Sequence, residues 1–202
     1  IACAYEKWGE DCVVHLIGDF AFALWDRKNR KLFCARDPMG IRPFYYFVDD
    51  RRVIFGTEIK AILTHPGISR ELNPLRLALF VIGGHFEADQ THFKAIHSLE
   101  PATLLTVDAS GCRTRRYWTL DPRSELRLAR DDDYVEAFEE IFQRAIDARL
   151  RTTTRVGSML SGGLDATTML SFATGSRQPS ARNLSAFTWA LNEGDDWFER
   201  DE

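Results

Sequence analysis

The chain has 202 residues, a length typical of one or two domains. Its 26 basic and 30 acidic side chains give a net charge of −4, so we expect neither nucleic acid nor an anionic membrane surface as a partner. Hydrophobic residues make up 45% and charged residues 28%, which excludes disordered and low-complexity architectures. No stretch of about 18 apolar residues occurs, so no membrane-spanning helix is expected.

The ends of the sequence and its cysteines indicate the cellular setting. The chain begins at Ile1 and stops at Glu202 in a charged stretch, so we expect it to be part of a longer protein. No basic segment followed by an apolar one marks a signal peptide. The cysteines form no CxxC pair, and we expect free, buried thiols in a reducing compartment and therefore a cytoplasmic protein. These cysteines are Cys3, Cys12, Cys34 and Cys112.

A change in charge divides the chain into two parts. Residues 1–120 carry 16 basic and 14 acidic side chains, whereas residues 121–202 carry 10 and 16. The change coincides with the polar segment Asp121-Pro-Arg-Ser124, which follows the aromatic pair Tyr117-Trp118. We therefore predict two domains and a linker, namely a first domain over 1–120, a linker over 121–131 and a second domain over 132–202.

The first part predicts strands joined by tight turns. Residues 20–25 are apolar at both parities, as in a strand covered on both faces, and a hairpin turn over 26–30 leads into a strand over 31–36. The part is α+β with a largely antiparallel sheet. Its further predicted elements are a turn over 37–40, strands over 43–48 and 53–57, a helix over 58–63, a helix from Pro74 to about Val81 capped by Asn73, and strands over 103–107 and 113–118.

The second part changes period after Asp131-Asp-Asp133. Apolar residues at helical spacing up to position 150 predict a helix of about five turns, with acids at its N-terminus and Arg149 at its C-terminus, as the helix dipole favours. Strands over 156–160 and 184–191 enclose the loop Ser161-Gly-Gly-Leu-Asp165, a helix over 166–174 and a second loop. A strand, a glycine loop, a helix and a second strand predict a βαβ unit with a parallel sheet.

The loop Ser161–Asp165 has the composition of a phosphate site. Glycines without Cβ let backbone N–H groups close around an oxyanion, and the N-terminus of the following helix adds partial positive charge. Ser161 adds a hydroxyl donor, and Asp165 can hold a Mg²⁺ that neutralises phosphate. No Walker A sequence occurs. The alternative is a glycine-rich turn with a capping serine, but the surrounding strands and helix favour a nucleotide site.

Several segments resemble the asparagine synthase (glutamine-hydrolysing) family. Val156-Gly-Ser-Met-Leu-Ser-Gly-Gly-Leu-Asp165 resembles the pyrophosphatase loop, or PP-loop, of its ATP-dependent synthetase domain. Upstream, residues 18–26, 35–46 and 55–63 resemble the later part of its glutaminase domain, and Ser98–Pro101 with Tyr117-Trp118 resemble the end of that domain. The resemblance implies part of an N-terminal-nucleophile glutaminase, an α+β sandwich with four αββα layers, followed by part of an α/β parallel-sheet ATP-pyrophosphatase domain.

The resemblance also implies a function. The family is an ATP-dependent, amide-forming ligase that adenylates aspartate to β-aspartyl-AMP, and ammonia from glutamine then displaces AMP to give asparagine. ATP and Mg²⁺ are the implied cofactors, aspartate and glutamine are the other substrates, and a homodimer is one assembly that the resemblance allows. The implied ATP-binding residues are Ser161, Gly162, Gly163 and Leu164 around the pyrophosphate, Asp165 on Mg²⁺, and Met159 and Trp189 beside the adenine, with core packing as the alternative for the last two.

The sequence departs from the family pattern at two places. The family glutaminase uses an N-terminal cysteine as nucleophile, and Ile1 supplies none. No cysteine of the chain matches that nucleophile, so we expect no catalytic residue within these residues and no glutamine hydrolysis by them alone. Ala166 stands where the family loop continues with serine, which removes a hydroxyl that could contact phosphate. Thr167 and Thr168 are candidates to compensate.

Other charged residues favour structural roles, and three functions stay open. Arg36-Asp37-Pro-x-Gly40 predicts a turn that fixes strand register, and Glu58 caps or begins a helix. The first functional interpretation is a glutamine-dependent asparagine synthetase. The second is a sister ligase that closes a β-lactam or a peptide macrolactam by the same adenylation. The third is a non-catalytic scaffold, which only Ala166 supports.

Overall fold

The chain of the computed structural model divides into two compact units, residues 1–123 and 124–202. The structure describes residues 1–84 and 88–189, so positions 190 and 191 of the last predicted strand lie outside the described residues. Among the residues that it describes, no helix combines the length and the apolar character needed to cross a membrane.

The first unit is built mainly from antiparallel strands. Its helices are α1 (Ala2–Trp8), a 3₁₀ helix (Gly9–His15), α2 (Ile59–Ile62) and α3 (Pro74–Val81). Its strands are β1 (Ala21–Asp26), β2 (Lys31–Arg36), β3 (Tyr45–Val48), β4 (Val53–Gly56), β5 (His97–Ser98), β6 (Thr103–Asp108) and β7 (Gly111–Arg116).

Two antiparallel sheets organise these strands. The first sheet has the order β1-β2-β6-β7, and the second has the order β4-β3-β5. The β1–β2, β3–β4 and β6–β7 pairs are hairpins whose turns begin at Asp26, Asp49 and Asp108, as the turn residues predict. Pairing of β2 with β6, in which Leu32 lies opposite Val107, joins the β1–β2 and β6–β7 hairpins into the first sheet.

Alternate residues of the strands face different layers. In β2, Phe33 and Ala35 pack with Cys12 and Val13 of the 3₁₀ helix, whereas Cys34 lies on the opposite face with Phe44. In the second sheet, alternate side chains likewise divide between the first sheet and helix α2. Tyr46 packs against the cluster of Cys34, and Tyr45 and Phe47 pack against the cluster of Ile62. The described residues of this unit therefore form four layers, helix, sheet, sheet and helix.

The turn after β2 is held by Arg36, which lies partly buried. Its guanidinium donates to the carbonyls of Gly40, Arg42 and Leu99 at 2.7, 2.7 and 2.6 Å and to Ser98 Oγ at 3.3 Å. Gly40 has φ +65, and a Cβ there would lie 2.8 Å from Pro101 Cγ. These contacts join the turn to a segment some sixty residues further along the chain and confirm the structural role predicted for Arg36.

Asp37 holds the same turn from inside. Its side chain is 1% exposed, and its carboxylate accepts three backbone N–H groups between 2.9 and 3.1 Å, from Met39, Ile41 and Arg42. A buried carboxylate needs such donors because an unpaired charge in the interior is costly. The predicted cap of α3 is also present, since Asn73 Oδ1 accepts the N–H of Arg76 at 3.2 Å.

Two expectations about burial are wrong. Strand β1 was expected to be covered on both faces, but it is an edge strand and Trp25 is 56% exposed. The four cysteines were expected to be buried, yet only Cys12 and Cys34 are, whereas Cys112 is half-buried and Cys3 is exposed. In both cases the sequence identifies residues that can be buried. Whether they are buried depends on which sheet or helix covers them in the fold.

The second unit contains a parallel strand pair and its helices. Its elements are α4 (Asp131–Arg149), β8 (Val156–Met159), α5 (Leu164–Thr174), a 3₁₀ helix (Pro179–Asn183) and β9 (Leu184–Phe187). β8 and β9 pair in parallel, with Met159 opposite Phe187. The predicted order of strand, loop, helix and second strand is confirmed, and β9 ends at Phe187 within the described residues.

Candidate functional site

The loop Ser161–Asp165 leaves the carboxyl end of β8 and enters α5. The Leu160 N–H donates to the Phe187 carbonyl at 2.8 Å, which extends the pairing of β8 and β9 to the residue before the loop. Gly157 lets the two strands approach, because a Cβ there would lie 3.0 Å from the Phe187 ring. The strand pair thus fixes where the loop begins, at the edge where parallel sheets bind ligands.

The loop needs glycine at its centre. Gly162 has φ +85, in the left-handed region that residues with a Cβ avoid. Gly163 is the N-cap of α5, and its carbonyl accepts both the N–H and the hydroxyl of Thr167, at 3.1 and 2.9 Å. Thr167 was expected as a substitute phosphate donor, but its hydroxyl proton is already used inside the helix.

The surface of the loop is open. Residues 161–165 are all exposed, and Leu164 is 86% exposed. Within the described residues, the N–H groups of Ser161 and Gly162 make no backbone hydrogen bond. These donors, the Ser161 hydroxyl and the N-terminus of α5 together form an arrangement that can accept an anion.

Asp165 is the one acidic residue in the first turn of α5. The described residues contain no group of three or more acidic, histidine or cysteine side chains that could hold a metal ion by themselves. Mg²⁺ commonly binds through one or two carboxylates together with substrate phosphates. An exposed Asp165 beside a phosphate-binding loop fits that mode and does not fit a metal site made of protein ligands alone.

Met159 and Trp189 lie near the same edge and are open to solvent. Met159 is 74% exposed and Trp189 is 92% exposed. Core packing was the alternative role for both residues. Among the described residues of the second unit, neither side chain is packed in a core. Their role toward adenine stays a prediction.

Ala166 faces away from the loop surface. It is 9% exposed and shares a face of α5 with Ala173, seven residues later, which is 6% exposed. A serine side chain at position 166 would therefore lie on the buried face of the helix, away from a phosphate bound at the loop. The lost hydroxyl carries less weight against nucleotide binding than the sequence suggested.

Three of the four cysteines have a thiol pKa that the structure raises, which makes them poor nucleophiles. Burial raises the pKa of the Cys34 thiol to about 12. Burial also raises the pKa of the Cys12 and Cys112 thiols above the ordinary value for cysteine. Because the thiolate is the reactive form, these three side chains are unsuited to nucleophilic catalysis. Glu58 precedes α2 and pairs with Lys60, which agrees with its expected structural role.

Three clefts of the structure lie in the first unit, away from the loop residues. Three clefts of about 810, 680 and 270 Å³ are lined only by residues of the first unit. The loop Ser161–Asp165 is thus an exposed edge and not a closed pocket in the described residues, and the chemistry of the loop, not cavity size, marks it as the candidate site.

Comparison with known proteins defines the class. Residues 1–118 match the glutamine amidotransferase domain family, and residues 137–201 match the asparagine synthase family. The chain thus belongs, over more than half of its length, to the glutamine amidotransferase domain family. The match of its second part and the named relatives support a fragment of the asparagine synthase family.

Individual relatives agree with this assignment. The chain is 36% identical to asparagine synthetase [glutamine-hydrolyzing] 3 of Bacillus subtilis, over 97% of this chain and 32% of that protein. It is 30% identical to a putative asparagine synthetase [glutamine-hydrolyzing] 2 of Methanocaldococcus jannaschii, over 82% of this chain and 33% of that protein. Amidase chry2 of Gibberella zeae is 28% identical over 84% of this chain and 25% of that protein. The chain spans about a third of the length of the two synthetases.

A solved structure also resembles the chain. Glutamine phosphoribosylpyrophosphate amidotransferase from B. subtilis, complexed with ADP and GMP, matches with 15% identity and a TM-score of 0.34, over 91% of this chain and 35% of that one. At that TM-score the family assignment rests on the sequence matches.

Proposed function

We propose that the protein to which this chain belongs is a cytoplasmic, ATP-dependent ligase that makes asparagine from aspartate with ammonia derived from glutamine. The observation that carries the proposal is the exposed loop Ser161–Asp165, which joins a parallel strand to a helix N-terminus and is left-handed at Gly162. The glutamine amidotransferase domain before it supports a nitrogen source within the same protein.

The loop would stabilise the charge that leaves during adenylation. Attack of the aspartate carboxylate on the α-phosphate of ATP forms β-aspartyl-AMP and releases pyrophosphate, on which negative charge accumulates. The N–H groups of Ser161, Gly162 and Gly163 and the Ser161 hydroxyl would donate to this pyrophosphate. The N–H groups of the first turn, from Leu164 onward, and the dipole of α5 add to the same attraction.

Asp165 would hold Mg²⁺ against the phosphates. The metal ion supplies positive charge that neutralises phosphate oxygens, and the exposed carboxylate fixes its place at the loop. Met159 and Trp189, both exposed near the strand ends, would pack against the adenine ring. The aspartyl group and the attacking ammonia would then meet above the loop, where adenylation has replaced hydroxide by the better leaving group AMP.

The experiment is ATP–pyrophosphate exchange with the full-length protein. We expect exchange that depends on aspartate and Mg²⁺. Gly162→Ala places a Cβ at φ +85, which costs about 1–2 kcal/mol and should lower exchange about tenfold or more. Asp165→Asn should lower exchange and raise the Mg²⁺ concentration that gives half the maximal rate.

Ser171→Ala is the matched control, because Ser171 is an exposed residue later in α5. It should leave exchange within about twofold of the parent, since surface substitutions of this kind change stability by only about 0.5 kcal/mol. Aspartate-dependent exchange that survives Gly162→Ala and Asp165→Asn unchanged would refute the assignment of the loop.

A sister ligase is the second candidate, favoured by the similarity to the protein named amidase chry2. Such a ligase would adenylate a different carboxylate on the same loop. If aspartate supports no exchange and another carboxylic acid does, the protein is a sister ligase and not an asparagine synthetase. No exchange with any carboxylate would favour a non-catalytic scaffold.

A further inference from the structure

One cleft of the first unit lies between the two sheets, at the end where the hairpins turn. Its volume is about 810 Å³, within the usual range of about 300–1,000 Å³ for small-molecule sites. It is lined by the turns of the three hairpins and by the strand residues that lead into them. Neither the proposed function nor the loop Ser161–Asp165 involves this cleft.

Core-facing side chains form its floor. Leu32 and Val107 pair across the first sheet and pack against the cluster of Cys34, and Val48 and Val53 pair in the second sheet. All four are only half-buried, and Trp25 at the side of the cleft is 56% exposed. The interior between the sheets is therefore open at this end and offers apolar surface to a ligand.

The turns that form the rim are locked by their own aspartates. Asp49 accepts the N–H groups of Arg51 and Arg52 at 2.9 and 3.0 Å, and it also accepts Arg52 Nε at 2.9 Å. Asp108 accepts hydrogen bonds from the Ser110 hydroxyl, from the Ser110 N–H at 2.8 Å and from Arg113 Nη2 at 2.6 Å. These contacts lower the pKa of both carboxyls and leave little capacity for a ligand.

Three other charged side chains of the rim have no partner among the described residues. Arg30, Asp50 and Arg51 line the cleft, and their side chains make no hydrogen bond or ion pair with the described residues. Arg30 has φ +51, which belongs to the geometry of the β1–β2 turn that it closes. The rim thus presents two guanidinium groups and one carboxylate above an apolar floor.

We propose that this cleft binds a free α-amino acid with an aromatic side chain. Arg30 and Arg51 would take the carboxylate, Asp50 would take the ammonium group, and the ring would lie on the apolar floor beside Trp25. A neutral apolar ligand would leave all three charges unused. A phosphate dianion could use both guanidinium groups, but the Asp50 carboxylate would repel it and the apolar floor would stay unused.

Calorimetric titration of the full-length protein with L-phenylalanine tests the proposal. We expect saturable binding, because carboxylate, ammonium and ring each have a partner. Two analogues each remove one group, namely 3-phenylpropionate, which lacks the ammonium, and phenethylamine, which lacks the carboxylate. Each should bind about tenfold or more weakly, since a hydrogen bond to a charged group contributes roughly that factor.

Variants locate the binding. Arg51→Gln and Trp25→Ala should each weaken L-phenylalanine binding about tenfold. Arg27→Gln, in the same turn region but outside this cleft, should leave the affinity within about twofold. The proposal fails if L-phenylalanine shows no saturable binding. It also fails if Arg51→Gln and Trp25→Ala bind as the parent does, which would place the ligand at another site.

Discussion

Ala102 shows how one residue can be held in an unfavourable backbone conformation. It has φ +55 and is 2% exposed. Its N–H donates to the Asp37 carbonyl at 3.0 Å, and its own carbonyl accepts the Tyr117 N–H at 2.8 Å. Left-handed backbone costs an L-residue about 1–2 kcal/mol, so these two contacts and the packing of the methyl group offset a real strain.

Ala102→Gly should leave the free energy of unfolding within about 0.5 kcal/mol of the parent. Relief of about 1–2 kcal/mol of strain is balanced by about 0.8 kcal/mol for the buried methyl and about 0.5–1 kcal/mol for the freedom of glycine in the unfolded chain. Denaturant titration followed by circular dichroism measures the change.

Ala35→Gly is the matched control, because Ala35 is 0% exposed within strand β2. Here no strain is relieved, and the same two losses should lower the free energy of unfolding by about 1.5 kcal/mol. Equal destabilisation of the two variants would contradict the strain at Ala102.

A carboxylate of α4 helps to join this helix to α5. Asp147 accepts Ser176 Oγ at 2.6 Å and Gln143 Nε2 at 2.9 Å, and these bonds lower the pKa of its carboxyl. Ser176 follows α5, so the bond ties the end of that helix to the last turn of α4. The position of α5 in turn determines where the loop Ser161–Asp165 presents its N–H groups.

Acid should weaken this connection. Because the folded-state pKa of Asp147 lies below the unfolded value of about 3.9, its contribution to stability is present above that pH and is lost as pH falls through the folded pKa. The melting temperature should therefore drop as the pH falls below about 4, and Asp147→Asn should make the drop shallower. Glu140→Gln, an exposed change in the middle of the same helix, is the control, and an equal effect would contradict the role of Asp147.

Local patterns predicted most elements, and long-range contacts account for the failures. Hairpin turns that begin with aspartate and the Asn73 cap depend on neighbouring residues, so the sequence alone locates them. Strand β5 has two residues and exists because Tyr45 and Tyr46 pair with it, which no local pattern predicts. The sequence likewise could not show that Trp25 lies on an edge strand.

The candidate site divides in the same way. The loop Ser161–Asp165 is contiguous, so its glycines and its serine could be identified from the sequence. The burial of Ala166 and the bond from Thr167 to the Gly163 carbonyl depend on helix geometry. The cleft proposed to bind an amino acid is formed by three hairpin turns that are far apart in the chain. No local sequence motif predicts it.

For the molecule as a whole, the segment between the two units should be the first point of proteolysis. Arg123 and Arg127 have side chains that are 94% and 84% exposed, and they lie between β7 and α4 in a stretch without regular strands or helices. Brief trypsin treatment of the 202-residue chain should cut after these residues and leave the two units as separate fragments.

Mass spectrometry of the early fragments checks this prediction. Arg123→Gln combined with Arg127→Gln should slow the first cut, whereas Arg51→Gln, in a locked hairpin turn, should not change it. Early cleavage within the first unit would contradict its compactness.

The hydrogen bond from Arg36 to the Leu99 carbonyl also has a consequence for the kinetics of folding. The two residues are 63 positions apart, so the bond forms only after most of the first unit has been synthesised and a long loop has closed. Hairpins such as β1–β2 form early from local contacts, while closure of β2 against β6 is the slow event. We infer that the Arg36–Leu99 bond completes after this closure, and on that basis we expect it to slow unfolding more than it accelerates folding.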